Sequence, residues 1–110
     1  MTKDSPRLQQ LLQFHSENPT DSFLLFALAK EHEKLGNSDL ALGFYEKITA
    51  TSPEYVGVYY HLGKLLEKKG EPIRALAAYK SGMLVAQKIG DRHALSELAG
   101  AKMELSDEED

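Results

Sequence analysis

One phrase occurs twice in this chain, and its spacing limits the fold more than any other feature. Leu28-Ala29-Lys30, Glu33-Lys34-x-Gly36 and Ala41-Leu42-x-x-Tyr45 return as Leu62-Gly63-Lys64, Glu67-Lys68-x-Gly70 and Ala75-Leu76-x-x-Tyr79. Every counterpart lies 34 residues further on, and Pro19 and Pro53 frame the first copy at the same interval. Aligning residues 19–52 with 53–86 gives nine identities in 34 pairs. A fixed period of this length marks repeated supersecondary units, each unable to bury its apolar face alone.

The punctuation within each copy is that of helices. Ser5-Pro6 suits a helix start, because serine caps well and proline at the first position sacrifices no hydrogen bond. Leu8, Leu11, Leu12, Phe14 and His15 follow at helical spacing. Asn18-Pro19 and Ser52-Pro53 read as further restarts, and Glu71-Pro72 as the opening of a partner helix. Gly36 and Gly70 fit the left-handed residue that closes a helix, so each copy reads as a helical hairpin with a turn of about three residues. The 34-residue partner of Pro53 is Gln87, so nothing breaks the second hairpin until Gly90. Asp91 then caps a last helix with Leu95, Leu98, Ala99 and Leu105 as its apolar positions. The expectation is an all-α chain of about six helices.

Composition narrows the function. At 110 residues with 42% hydrophobic and 27% charged, the chain reads as one globular domain. Without cysteine it has no disulfide, thiol nucleophile or cysteine-bound zinc. No apolar run approaches the ~20 residues of a membrane span, and no signal-peptide pattern opens the chain, so no membrane role and a cytoplasmic location are expected. The net charge of −4 equals the four acids Asp107, Glu108, Glu109 and Asp110, which leaves a neutral body and argues against nucleic acid. Residues 107–110 read as an acidic, disordered tail.

The repeated residues resemble the tetratricopeptide repeat, whose 34-residue unit carries W-x2-L-G-x2-Y, then A-x3-F, then P. The first copy reads Leu25-x2-Leu28-Ala29-x2-His32, Ala41-x3-Tyr45 and Pro53. The second reads Tyr59-x2-Leu62-Gly63-x2-Leu66 and Ala75-x3-Tyr79. The match is by residue type: no tryptophan is present, and His32 and Leu66 stand where tyrosine is usual. The resemblance implies a right-handed stack of antiparallel hairpins forming an α-α superhelix. Within one domain of residues 1–106 it gives an N-terminal capping helix at 5–18, repeats at 19–52 and 53–90, and a C-terminal capping helix at 91–105. Residues 5–18 look like the second helix of a degenerate preceding repeat, which implies that Leu11 and Phe14 face the core.

In this family the first helix of each repeat lines a concave groove that takes peptides or protein segments. Carried over, that places Phe23, Phe26, Lys30, Glu33 and Lys34 of one copy, and Gly57, Tyr60, Lys64, Glu67 and Lys68 of the other, in the groove. Phe26 and Tyr60, and Lys30 and Lys64, are expected to form adjacent columns. The peptide-binding candidates are Phe23, Phe26, Lys30, Lys34, Tyr60, Lys64 and Lys68. The lysines favour an acidic protein or peptide partner; a solvated face on which they pair with Glu33 and Glu67 is the plainer alternative. The family's clamp for C-terminal carboxylates wants polar residues where Phe26 and Tyr60 stand, so that ligand is not expected. Self-association as a homodimer, with the acidic end entering a groove, is the second expectation. No catalysis, cofactor or metal is expected: His32-Glu33 begins H-E-x-x-H, but Gly36 replaces its second histidine.

Overall fold

The computed structural model describes residues 5–109, and these form six helices with no strand among them. They are α1 (Pro6–Glu17), α2 (Ser22–Lys34), α3 (Ser38–Thr51), α4 (Gly57–Lys68), α5 (Pro72–Ile89) and α6 (Arg92–Glu109). Two compact units divide the chain, the first ending at Ser52 and the second beginning at Pro53, where the 34-residue period restarts.

The glycine stops work as their spacing suggested. Gly36, Gly70 and Gly90 have φ of 83°, 77° and 77°, a conformation that costs other residues a Cβ clash. Each closes a Schellman motif. Asn37 N–H donates to His32 O (2.8 Å) and Gly36 N–H to Glu33 O (3.1 Å). Glu71 bonds Leu66 O (2.9 Å) and Asp91 bonds Ala86 O (2.9 Å) in the same way. The otherwise orphaned last carbonyls are thereby satisfied as the chain reverses direction.

The prolines behave differently from one another. Pro6 and Pro72 stand in the first turn of α1 and α5, as expected. Pro19 and Pro53 do not open helices: α2 begins at Ser22 and α4 at Gly57. Their effect is on the residue before them, since Asn18 and Ser52 are held out of the helical region (φ −138°, ψ 65° and φ −141°, ψ 65°) and end α1 and α3. The start of α2 is set by Asp21, whose carboxylate accepts from Leu24 N–H at 3.1 Å. Asp91 does the same for α6 through Ala94 N–H (2.9 Å). That helix continues past Leu105 through Asp107, Glu108 and Glu109, which the sequence reading set apart as a disordered tail. Asp110 lies outside the described residues.

In the first unit α2 packs on both α1 and α3. Leu8 and Leu11 of α1 meet Leu28, with Leu24, Ala27, Leu35 and Phe44 around them. Phe14, expected in the core, is 51% exposed; Leu8, six residues earlier, is buried with Leu11 instead. In the second unit α4, α5 and α6 pack mutually. Val58, Leu65, Ala75 and Tyr79 are fully buried there, and Leu98, Ala101 and Leu105 supply the inner face of α6.

Two glycines set how closely these three helices approach. A Cβ on Gly63 would lie 2.6 Å from Cζ and 2.7 Å from Cδ1 of the Tyr79 ring. A Cβ on Gly82 would lie 2.5 Å from Tyr59 Cβ and 2.9 Å from Leu98 Cδ1. The first-copy counterparts are Ala29 and Ile48, both fully buried, so the two hairpins pack alike in pattern but not in detail. We expect Gly63→Ala to cost about 1–3 kcal/mol through overpacking, despite alanine's better helix propensity. The cost should shrink in a Tyr79→Leu background, and a urea-denaturation double-mutant cycle measures it; strictly additive effects would show that the ring is not the obstacle.

Candidate functional site

The outer face of α2 follows from its inner one. Leu25, Leu28, Ala29 and His32 are buried at the three- and four-residue spacing of one face, so Phe23, Phe26, Lys30 and Lys34, each one or two positions off that stripe, turn away from it. Phe23 is 68% exposed. Phe26 is half-buried, with its ring 6.0 Å from that of Tyr45. Lys30 and Lys34 follow in the last two turns, both exposed. These four side chains line one cleft of about 560 Å³, together with Ala27, Glu31, Glu33 and, from α1, Arg7.

Both carboxylates of the cleft are held by the protein itself. Glu31 is buried; it accepts a hydrogen bond from Ser5 Oγ (2.9 Å) and lies 3.6 Å from Arg7 Nε. Glu33 accepts from the Tyr45 hydroxyl at 2.6 Å. Arg7 and Glu31 are the residues that sequence reasoning missed. A signal existed: the counterpart of Glu31 in the second copy is Leu65, fully buried, which marks the position as inward-facing. What the repeat could not show is that α1 would bring a hydroxyl and a guanidinium to meet the charge.

The second unit arranges the equivalent residues otherwise. Tyr60 is half-buried beside Tyr79 (6.5 Å between rings) and edge-on to His61 (5.7 Å). Lys64 lies over the Tyr60 ring at 5.6 Å and 4.0 Å from Glu104 of α6. Tyr60 lines a cleft of about 450 Å³ with Ser96, Glu97, Gly100, Ala101, Met103 and Glu104; Lys64 and Lys68 are not among its lining residues. Phe23, Phe26, Lys30 and Lys34 are thus brought together within the first unit, while in the second Tyr60 lines the cleft against α6 without Lys64 or Lys68. Lys68 is exposed at the end of α4.

One contact recurs in both units. Tyr79 donates its hydroxyl to Glu67, as Tyr45 does to Glu33. Burial, and then the adjacent carboxylate, raise both phenols well above the ordinary tyrosine value of 10. Tyr59 is raised too, by burial and by Glu54.

The histidine of the incomplete zinc motif is a core residue. His32 is buried, stacked on Phe44 at 5.6 Å, and its Nδ1 accepts from the Asn37 amide (3.2 Å). Among the described residues no three histidine, aspartate or glutamate side chains gather where they could hold a metal ion. None of the helices there is long and apolar enough to cross a membrane.

No family model matches the chain, and no curated protein matches it. Solved structures do. A tetratricopeptide repeat domain protein of Salinibacter ruber, determined by NMR, is 44% identical over 79% of this chain and 88% of its own, with a TM-score of 0.77. The chain belongs to the tetratricopeptide repeat family. A crystal structure of the Salinibacter ruber protein agrees, at 43% identity over 78% of this chain and 96% of that one, with a TM-score of 0.75. The type III secretion translocator chaperone SycD of Yersinia enterocolitica shares the fold at 14% identity, covering 93% of this chain and 71% of that chain, with a TM-score of 0.84. Tetratricopeptide repeats are helical-repeat protein-interaction modules, and the short match to the repeat pattern, with His32 and Leu66 at its tyrosine positions, is enough to build one here.

The shifted phenols give a test in alkali. Below pH 10 the tyrosines are neutral in both folded and unfolded chains, and their contribution is fully present. As pH rises past 10 the unfolded phenols ionise while Tyr45 and Tyr79 are held neutral, so stability falls. Tyr45→Phe with Tyr79→Phe should lower stability at pH 7 by about 1 kcal/mol per lost hydrogen bond. It should also flatten the decline above pH 10 in denaturation curves; an unchanged alkaline limb would show that these two groups do not cause it.

Proposed function

We propose that this protein is a non-catalytic interaction module that takes a polypeptide segment against the outer face of α2. The observation that carries this is the convergence of Phe23, Phe26, Lys30 and Lys34 on one cleft of about 560 Å³. A pocket of that size with apolar walls and a few placed charges suits a short stretch of chain. Stacking of the hairpin requires neither the 68% exposed phenyl ring of Phe23 nor lysine at 30 and 34. The partner's charge in this reading is negative, because Arg7, Lys30 and Lys34 outnumber Glu31 and Glu33 in the cleft lining.

Reversing charge at Lys30→Glu with Lys34→Glu should abolish capture of the proteins that the wild-type chain retains from a lysate, read by mass spectrometry. Both side chains are exposed, so the melting temperature should move little. An unchanged set of captured proteins would overturn the reading.

Self-association is the second reading, favoured by the outer face of α5. Ile73 and Leu84 are 80% and 68% exposed there, and with Ala77 they fall at spacings of four and seven that place them on one side of the helix. Light scattering should then show mass rising with concentration, and Ile73→Lys with Leu84→Lys should return a monomer. A monomeric mass at every concentration would remove this reading.

A further inference from the structure

The second unit sorts its surface charges by side. On α6, Glu97 and Glu104 line the cleft shared with Tyr60 of α4. Lys102 lines a different cleft, with Lys80, Met83, Leu84 and Gln87 of α5. Arg92, at the start of α6, adjoins the same Gln87. Asp91 stands beside Arg92, but its carboxylate is held by Ala94 N–H at 2.9 Å as the cap of α6. The exposed acids of α6 therefore border α4, and its cations border α5.

Helix α5 extends this asymmetry along its whole length. Its 18 residues include Arg74, Lys80 and Lys88 and no acid. Arg74 is bridged to Glu71 at 2.9 Å; among the described residues no acid pairs with Lys80, Lys88 or Lys102. The inner side of the helix is Ala75, Ala78, Tyr79, Gly82 and Ala86. On the opposite side, at ~100° per residue, Ile73 and Ala77 fall within ~20° of Leu84, and Lys80 and Lys88 stand ~40° to its left and right. An exposed apolar stripe thus runs down the outer face with a lysine on each flank.

The repeat does not ask for this face. One period earlier, Ile73, Ala77, Lys80, Leu84 and Lys88 correspond to Asp39, Gly43, Glu46, Ala50 and Glu54. Two lysines and an isoleucine stand where the first copy has acids, yet both copies build the same hairpin. The geometry also selects the occupant. A second copy laid face to face would set Lys80 and Lys88 against like charges. A short peptide gains most from walls that enclose it, and the outer side of a helix offers none. A flat anionic surface suits it better. Such a surface meets α5 along its ~27 Å, receives the central apolar stripe, and presents phosphates to cations on both flanks. No helix among the described residues can cross a membrane, and lying on one requires no crossing.

We propose that the outer face of α5, with Arg92 and Lys102 of α6, is a docking surface for an anionic lipid bilayer. This goes beyond the α2 cleft and gives the α5 face an occupant other than the second copy considered above. Ile73 and Leu84 enter the boundary between headgroups and acyl chains, while Lys80, Lys88 and Lys102 lie against headgroup phosphates.

Vesicle co-sedimentation with the full chain tests this at about 0.1 M salt, using phosphatidylcholine alone or with about 30% phosphatidylglycerol. The partition coefficient should be at least about tenfold higher on the anionic vesicles, and should fall as salt is raised to about 0.5 M. Lys80→Glu with Lys88→Glu should weaken that binding at least about tenfold, and Ile73→Ser with Leu84→Ser several-fold. All four side chains are exposed, so circular dichroism should show both variants folded. Lys30→Glu with Lys34→Glu should leave vesicle binding unchanged, which separates this result from the fate of the α2 reading. Equal partition onto both kinds of vesicle, or binding indifferent to Lys80 and Lys88, would overturn the proposal. Binding that survives Ile73→Ser with Leu84→Ser unchanged would overturn the insertion of the stripe and leave only a contact of charges. Absence of vesicle binding, with a mass that rises with concentration, would overturn it in favour of a second copy.

Discussion

The second unit depends on two places where a helix has no side chain. Gly63 lets the Tyr79 ring come close against the α4 backbone, and Gly82 lets α5 approach Tyr59 of α4 and Leu98 of α6 together. The contacts with Tyr79 and Tyr59 yield little, because they involve a rigid ring and a Cβ carried by a helix backbone rather than the end of a flexible chain. With them in place, the Tyr79 hydroxyl reaches Glu67 and the phenol is buried without an unsatisfied polar atom. The first unit reaches the same tyrosine–glutamate contact with Ala29 at the equivalent point. The contact, more than the identity of any one core residue, is what the 34-residue period preserves.

That distinction explains which features could be read from the chain beforehand. Gly36, Gly70 and Gly90 were legible because the left-handed stop is a local backbone requirement with one favoured residue. Phe23, Phe26, Lys30 and Lys34 were legible as one face because helical periodicity fixes direction once the buried stripe is known. Pro19 and Pro53 misled because proline restricts its neighbour as strongly as it favours a helix start, and spacing alone does not say which effect governs. Phe14 misled because α1 packs mainly on α2, and a helix packed chiefly on one neighbour buries a narrow stripe, here Leu8 and Leu11.

The second unit shows where a repeat stops predicting. Lys64 occupies the register of Lys30, yet α6 brings Glu104 to it and Tyr60 lies beneath it. An exposed pair at 4.0 Å is individually weak, but it changes what the surface offers to a ligand. Equal register gives equal backbone placement; the neighbours that decide a side chain's chemistry come from helices outside the period. Arg7 on α1 and Glu104 on α6 are both of that kind.

Glu31 carries a consequence of its own. It is a buried carboxylate whose partners, Ser5 and Arg7, come from the first residues of α1, a helix otherwise docked by Leu8 and Leu11. If α1 frays, that charge loses both partners, so the opening of α1 and the rehydration of Glu31 are a single step. Arg7 is also a wall of the cleft, so any occupant that touches it binds only the docked form. By linkage, such an occupant would slow hydrogen exchange throughout α1, including at amides it never reaches. The first helix would then report, through its own protection, whether a surface on the second helix is filled.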